Sequence, residues 1–458
     1  LYNIKKIYFQ TAPLPYQTVD DGDWSEEKTW LYGDVWDITD FQNNKDWSVV
    51  HIKNNVDAAH AVKNIGLFVD NDKTFTVNGD NQVNNSWYLE LNGALDLKED
   101  SQLIQGDNSD LVTSANGKIL RRQEGASSYY WYNYWASPVG QTGVTTLSNN
   151  NAAANNTNNT SFSINMLKKG DGSAIQFISG NHQTDRLSTR WMYTYQNGVT
   201  YYDWGSVNQT TAINPGVGYI HKGMGVGTEQ QYLFEGKPNN GTIKISVADV
   251  GGEGSGPGVS KTEYLLGNPY ASAIDIHKFL EDNASVLEGS IQLWQQWDGV
   301  SHVTTEYEGG YAQVNKTGSV RAYQFEGGVG GNNGSLDGTK LPTKYLPVGQ
   351  GFIAEIKNSG TVVFKNSQRV FVKEADADGT EENGSVFFRS SASNEEDIMQ
   401  KLRLEFNALD GQATKRELLL GFSNITTDAY DYGYEAKNTD NNHDDLNLML
   451  DGEYMTIQ

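Results

Sequence analysis

Oxygen-bearing side chains at alternate positions are the residues of this chain best spaced to do chemistry. Glu374, Asp376 and Asp378, followed by Gly379 and then Glu382, reproduce the ligand spacing at the start of an EF-type calcium loop, although Ser385 stands where the closing bidentate glutamate would be. Asp440, Asn442 and Asp444 repeat the pattern, and Asp20, Asp21 and Asp23 form a third run. Such sites suit the millimolar Ca2+ outside cells, so Ca2+ is the cofactor these runs predict. A solvated acidic linker explains the same residues, because a chain this acidic produces such runs freely.

Other candidate chemistry is thinner. Asp70, Asp72, Asp80, Asp96 and Glu99 stand beside turn residues, where carboxylates converging on a groove would suit cleavage of a polysaccharide and where solvated turn acids need no function at all. His51, His60, His182, His221, His277, His302 and His443 fall in no HExxH or other paired spacing, so each reads as a surface or hydrogen-bonded residue. No GxSxG, P-loop or helix-opening GxGxxG occurs, and no catalytic residue is assigned. Without cysteine there are no disulfides, thiolate ligands or Cys nucleophile, which leaves the compartment undecided.

The strip "YYWYNYW" at 129–135 raises a different possibility. Rings exposed in a planar array bind sugars, and Trp131, Tyr132 and Trp204 are the candidates for such a platform. In a strand, alternate side chains face opposite sides, so rings on both faces also describe a strand sandwiched between two layers. Each buried ring withdraws about 150–250 Å² from water, and core is the favoured reading.

The elements that must hold these residues are β. Lys+Arg 34 against Asp+Glu 57 gives a net charge of −23, which disfavours nucleic acid and anionic lipid as partners. The 458 residues predict about three domains, and abundant Gly, Tyr, Asn and Thr with 9 Pro predict an all-β chain. The chain starts at Leu1 and has no signal-like segment or apolar run of about 18 residues. It is therefore expected to be a mature protein or a piece of a longer one, soluble and not itself inserted in a membrane.

Five segments are expected. Residues 1–46 form a capping segment in which Trp24, Trp30 and Trp36 cover an open rung. Residues 47–125 alternate apolar and polar side chains between Asn, Asp and Gly turns about every 20 residues, the pattern of a parallel β-helix-like solenoid, with an antiparallel sandwich as the rival.

Residues 126–250 and 259–373 then read as duplicated β units. Tyr134–Pro138 matches Leu265–Pro269, the stretch 192–204 matches 293–307, Gly216–Ile220 matches Gly349–Ile353, and Tyr232–Phe234 matches Val362–Phe364. Asn197-Gly198 and Asp298-Gly299 predict type I′ hairpins, and residues 272–283 predict a short helix capped by Ser272. The stretches 148–160, 251–258 and 327–338 read as exposed linkers. Residues 374–458 are expected to form a C-terminal β-sandwich module, incomplete at its end.

Several phrases also carry a resemblance: "YNYWASPVG", "YLFEGKPNNGTI", "LLGNPYASAIDIHKFLEDN", "PVGQGFIAEI", "VVFKNSQRVF" and "LLLGFSNITTDAYDYGYEAK". From Trp47 to Ala436 the chain resembles large secreted, adhesin-like cell-surface proteins of Bacteroidota exported by the type IX secretion system. The resemblance implies a fold, export and an extracellular place on the outer-membrane surface. It transfers no catalytic residue. Members end in a C-terminal sorting domain, which is not recognised here, so export is expected of a longer parent protein.

The expectation is a non-enzymatic structural or adhesive part of such a protein. Its partners would be the type IX machinery or outer-membrane proteins, with surface polysaccharide as a further partner and attachment or gliding as possible roles. The alternatives are a carbohydrate-binding module and a polysaccharide-degrading β-helix enzyme.

Overall fold

A computed structural model of the chain describes residues 15–33, 39–40, 45–46, 48–145, 147, 158–252, 261–322, 338, 340–374, 384–385, 399–408, 415–438 and 444–458. Nearly all its regular structure is β. Among these residues the one α-helix is Ile276–Asp282.

The alternating N-terminal segment folds as the solenoid its pattern predicts. Val50, Leu67, Leu89 and Leu111 pair in register along one parallel sheet, and Val56, Phe75, Leu95 and Ile119 along the other. All eight are buried in one core, where each side chain contributes about 1.5–3 kcal/mol. The turns must be thin for the rungs to stack. A Cβ on Gly117 would stand 1.9 Å from the carbonyl oxygen of Leu91. At the N-terminal side Trp24 and Trp30 are buried edge to face at 4.8 Å, with Trp24 leaning on Phe75 at 5.3 Å. Trp36 lies outside the described residues.

A solenoid leaves an unpaired strand edge at its last rung. Here both sheets are sealed, each by a different later segment. Strand Lys118–Ala126 is covered antiparallel by Glu229–Pro238, with Ile119 opposite Gly236 and Ala126 opposite Glu229. Strand Gln102–Gln105 is met by the second unit: Leu103 N donates to Ala271 O at 2.9 Å, Ala273 N donates to Gln102 Oε1 at 2.9 Å, and Arg369 Nη2 donates to Leu103 O at 2.5 Å.

A buried polar seam runs through the same place. Asn85 Nδ2 donates to Asn64 Oδ1, Ser109 Oγ to Asn85 Oδ1, Asn240 Nδ2 to Ser109 O, Asn366 Nδ2 to Asn240 Oδ1, and Arg369 Nη1 to Asn366 Oδ1. It ties the solenoid to both units through groups that would be costly to bury unpaired.

Two of the four landmarks of the duplication pair in the same register, whereas Tyr232–Phe234 lies across from Arg121–Gln123 of the solenoid and its match Val362–Phe364 across from Ile243–Ile245. In the first unit Tyr134 pairs with Ile220 and Trp135 with Tyr219; in the second, Leu265 pairs with Ile353 and Leu266 with Phe352. These are the matched residues. The two units also touch each other reciprocally. Ala136 N donates to Gly349 O at 2.7 Å and its counterpart Gly267 N donates to Gly216 O at 3.0 Å. Trp135 bridges to Gln350 as Leu266 bridges to Val217. Contacts of the form i to j and j to i are the signature of a two-fold interface, here fused into one chain.

The aromatic strip fills that joint. Tyr134, 6 % exposed, packs with Ile220, Leu265 and Ile353 between the units, while Trp135, 1 % exposed, turns the other way onto Tyr232 and Phe234. The strand Tyr132–Trp135 is therefore sandwiched between two layers.

Two local expectations are corrected. The helix starts at Ile276, and its cap is Asp275, whose carboxylate accepts from the N–H groups of His277 and Lys278; Ser272 lies before it and is bonded by Arg369. Asn197-Gly198 and Asp298-Gly299 do not close two-residue type I′ hairpins. Each has a positive φ at one residue only, Asn197 at 42° and Gly299 at 97°, and the paired strands are joined by longer loops. Gly198 is drawn instead into pairing with Glu263, and the ring of Tyr195 occupies the place of any side chain there.

Strands Gln400–Asn407, Lys415–Phe422, Ala436–Lys437, Leu448–Leu450 and Glu453–Ile457 form a mixed five-stranded sheet. Leu419, Ala436 and Ile457 pack it on Val320 of the second unit.

Candidate functional site

At one end of the joint a lysine is boxed by rings. Strand Tyr219–Lys222 runs beside Tyr132–Trp135, so Lys222 lies directly across from Tyr132. Its Nζ stands 4.7 Å from the Tyr132 ring centroid, 4.4 Å from that of Trp191 and 4.6 Å from that of Tyr307, a threefold cation–π arrangement. It donates to Tyr307 Oη at 2.6 Å and to His302 Nδ1 at 3.2 Å. Lys222 is 2 % exposed, and this burial brings its ammonium pKa down to about 7.

The second unit supplies His302 and Tyr307 from the loop after strand Leu287–Asp298; the first supplies the rest. His302 lies flat on Trp191 at 4.6 Å, and its Nε2 is 2.8 Å from His182 Nδ1. Tyr129 stacks on His182 at 4.7 Å, and Tyr130 sits against both imidazoles. Burial first, then the charges of Lys222, His182 and Arg190, hold the His302 pKa down at about 4.

Of the predicted platform residues, Trp131 and Tyr132 adjoin this box. Trp131 is half-buried, with its indole N–H donating to Gly299 O at 2.9 Å across the joint. Trp204 belongs to the layer between the units, 4.8 Å from Tyr195 and 6.0 Å from Tyr134. Lys222, His182, His302, Arg190 and Trp191 were not singled out by sequence. One signal was available: Lys222 interrupts the apolar strand "GYIHK" where the matching "GFIAE" carries Glu355.

A second cluster lies on the solenoid. Asp80 and Glu99 meet Asn78, Lys98, Asp100, Arg122, Glu124 and Gln231 around a cleft of about 420 Å³. Their oxygens are engaged between rungs: Gly79 N donates to Glu99, Asp100 N to Asp80, and Gln231 Nε2 to Glu124. Asp96 is buried beneath, paired with Arg122 at 2.6 Å and Lys98 at 2.8 Å. Asp70 is elsewhere, 2.7 Å from His51, and Asp72 is an exposed turn residue.

Among the expected calcium ligands, Glu374 is described and turns toward the solenoid, where Gln123 Nε2 donates to it at 2.6 Å. Burial, with Asp100 nearby, pushes its carboxyl up to about 8. Asp444 is exposed. Asp376, Asp378, Glu382, Asp440 and Asn442 lie outside the described residues, and among the described residues no group of three or more His, Asp or Glu could hold a metal ion. No helix among them is long and apolar enough to cross a membrane.

No curated protein and no solved structure matches this chain. A family model described as a domain of unknown function, DUF8693, matches residues 16–458, and the chain belongs to that family.

Proposed function

We infer that the chain is a non-enzymatic structural and adhesive part of a large secreted protein of the bacterial cell surface, exported by the type IX route and working beside outer-membrane proteins. The observation that carries this reading is the sealed solenoid end: a strand from one unit, a backbone contact from the other and a buried polar seam make one stiff body of three modules. A stalk or adhesive segment needs such stiffness, and the segments resembling Bacteroidota surface proteins supply the location.

The test is made on intact cells carrying the parent protein. Added protease is expected to cleave the segment, and its deletion is expected to lower attachment of the cells. Protection from protease, or attachment unchanged by deletion, would sink the reading. In calorimetry the isolated chain is expected to unfold from the solenoid through the second unit in one transition, and separate melting would remove the carrying observation.

The charged cleft favours a second reading, an enzyme acting on polysaccharide, since it brings Asp80, Glu99, Asp100 and Glu124 together. Release of new sugar ends from any member of a glycan panel would replace the first reading with this one.

A further inference from the structure

The box around Lys222 gathers a lysine, an arginine and two imidazoles in a chain of net charge −23. Lys222 meets rings, Tyr307 and His302; His302 meets Lys222 and His182; Arg190 lies over the ring of Trp191 at 5.4 Å. Among the described residues none of these four groups is hydrogen-bonded or ion-paired to a carboxylate. An accumulation of cationic and donor groups with no protein counter-ion points to an anionic ligand.

The hydrogen bonds also have a direction. A protonated Lys222 can only donate to Nδ1 of His302, and a neutral His302 then carries its proton on Nε2. That proton points at Nδ1 of His182, 2.8 Å away, which must accept it. His182 in turn is left with its proton on Nε2, for which no described protein group serves as acceptor. His182 and Arg190 are both exposed. A relay of donors thus begins at a buried amine and ends at an exposed imidazole, and the guanidinium of Arg190 is close enough to act on the same His302.

Around this end are half-buried rings: Trp191, whose indole N–H is tied to Asn181 O at 2.6 Å, with Tyr129 and Tyr130. An imidazole lies on one face of Trp191 and of Tyr129, so a ligand would meet their opposite faces and edges, which are fixed in place and cost little entropy to present. A pyranose presents a face of C–H groups and an edge of polar groups, and an acidic sugar adds an anion to that edge.

We propose that this end of the joint binds a carboxylate- or sulfate-bearing sugar of an acidic polysaccharide. The anion is held by His182 Nε2 and Arg190, and the sugar lies along Trp191 and the two tyrosines. The inference deepens the adhesive reading by naming what is adhered to. It fails separately from it: a chain that is surface-displayed and rigid but ignores acidic glycans leaves the scaffold reading standing.

The experiment is titration calorimetry of the whole chain at low ionic strength with an oligogalacturonate, its methyl ester, a sulfated oligosaccharide, a neutral β-glucan oligomer and inorganic sulfate. The acidic oligomers are expected to bind, and the choice between uronate and sulfate identifies the anion. The methyl ester and the neutral oligomer should bind at least about tenfold more weakly than the preferred acid. His182→Ala and Arg190→Gln should each weaken binding about tenfold with the cooperative unfolding transition retained, because both side chains are exposed. The proposal is overturned if neither acidic oligomer binds better than inorganic sulfate, if the uncharged oligomers bind as tightly as the acids, or if both variants bind like the parent chain.

Discussion

Lys222 and Glu355 occupy equivalent places in the two units. Lys222 lies across from Tyr132, and Glu355 across from Glu263, the residue that matches Tyr132 in the duplication. Both are buried and both are held away from their usual charge state, but by opposite surroundings. Around Lys222 are three ring faces and an imidazole. Around Glu355, 8 % exposed, burial and the charges of Glu288 and Glu263 push the carboxyl up to about 8, outweighing Lys437 and Lys261. One Glu355 oxygen has no hydrogen-bond partner. The backbone of the joint is thus indifferent to the sign of charge at its ends. Glu355 can stay neutral by keeping a proton, whereas Lys222 is cushioned by rings, and only the lysine end opens onto exposed donors.

The largest effect is expected from breaking what the two ends share. Tyr134 lies at the centre of the joint, stacked on Trp294 at 6.0 Å and hydrogen-bonded to Tyr311 Oη at 2.8 Å. Tyr134→Ala should cost about 3–5 kcal/mol in denaturant unfolding. A loss below ~1 kcal/mol would mean that the joint is not core.

Stability against pH should separate the ends. A lysine lowered from 10.5 to about 7 gives full stability above pH 10.5, lost progressively as pH falls to 7. A glutamate raised from 4.5 to about 8 gives full stability below pH 4.5, lost as pH rises to 8. Lys222→Met should reduce the first slope and Glu355→Gln the second, each by on the order of 2–4 kcal/mol, with Glu374 keeping its own share of the second. A slope left unchanged by its substitution would show that the residue is not the one titrating.

The smallest effect belongs to the rim. Trp131→Ala removes a half-buried ring and one bond to Gly299, and a loss of about 1–2 kcal/mol is expected. A loss as large as that of Tyr134→Ala would move Trp131 from rim to core.

Much of the fold was legible because it is local or repeated. The rungs announce themselves through alternation and turn glycines such as Gly117, and the duplication through landmarks, two of which pair in the same register. Burial of Tyr134 and Trp135 followed from Leu265 and Leu266 filling the equivalent places. The box was not legible, because His182 and His302 stand 120 residues apart and meet only once the units dock. The hairpin at Asn197-Gly198 failed for a related reason, since pairing of Gly198 with Glu263 overrides the local turn preference, and the helix cap moved because Ser272 is engaged by Arg369, 97 residues away. The acids of the solenoid were visible as turn residues, but the folding of Asp80 and Glu99 around one cleft needed the strand carrying Gln231.

The sealed last rung sets an order of events for the nascent chain. Gln102 waits for Val372, 270 residues downstream, and Leu103 for Arg369. A ribosome adding about 5–20 residues per second delivers those partners on the order of tens of seconds later. Through that interval the early strands present an unpaired edge to other chains, which makes the unfinished N-terminal third the part of the nascent chain most in need of shielding.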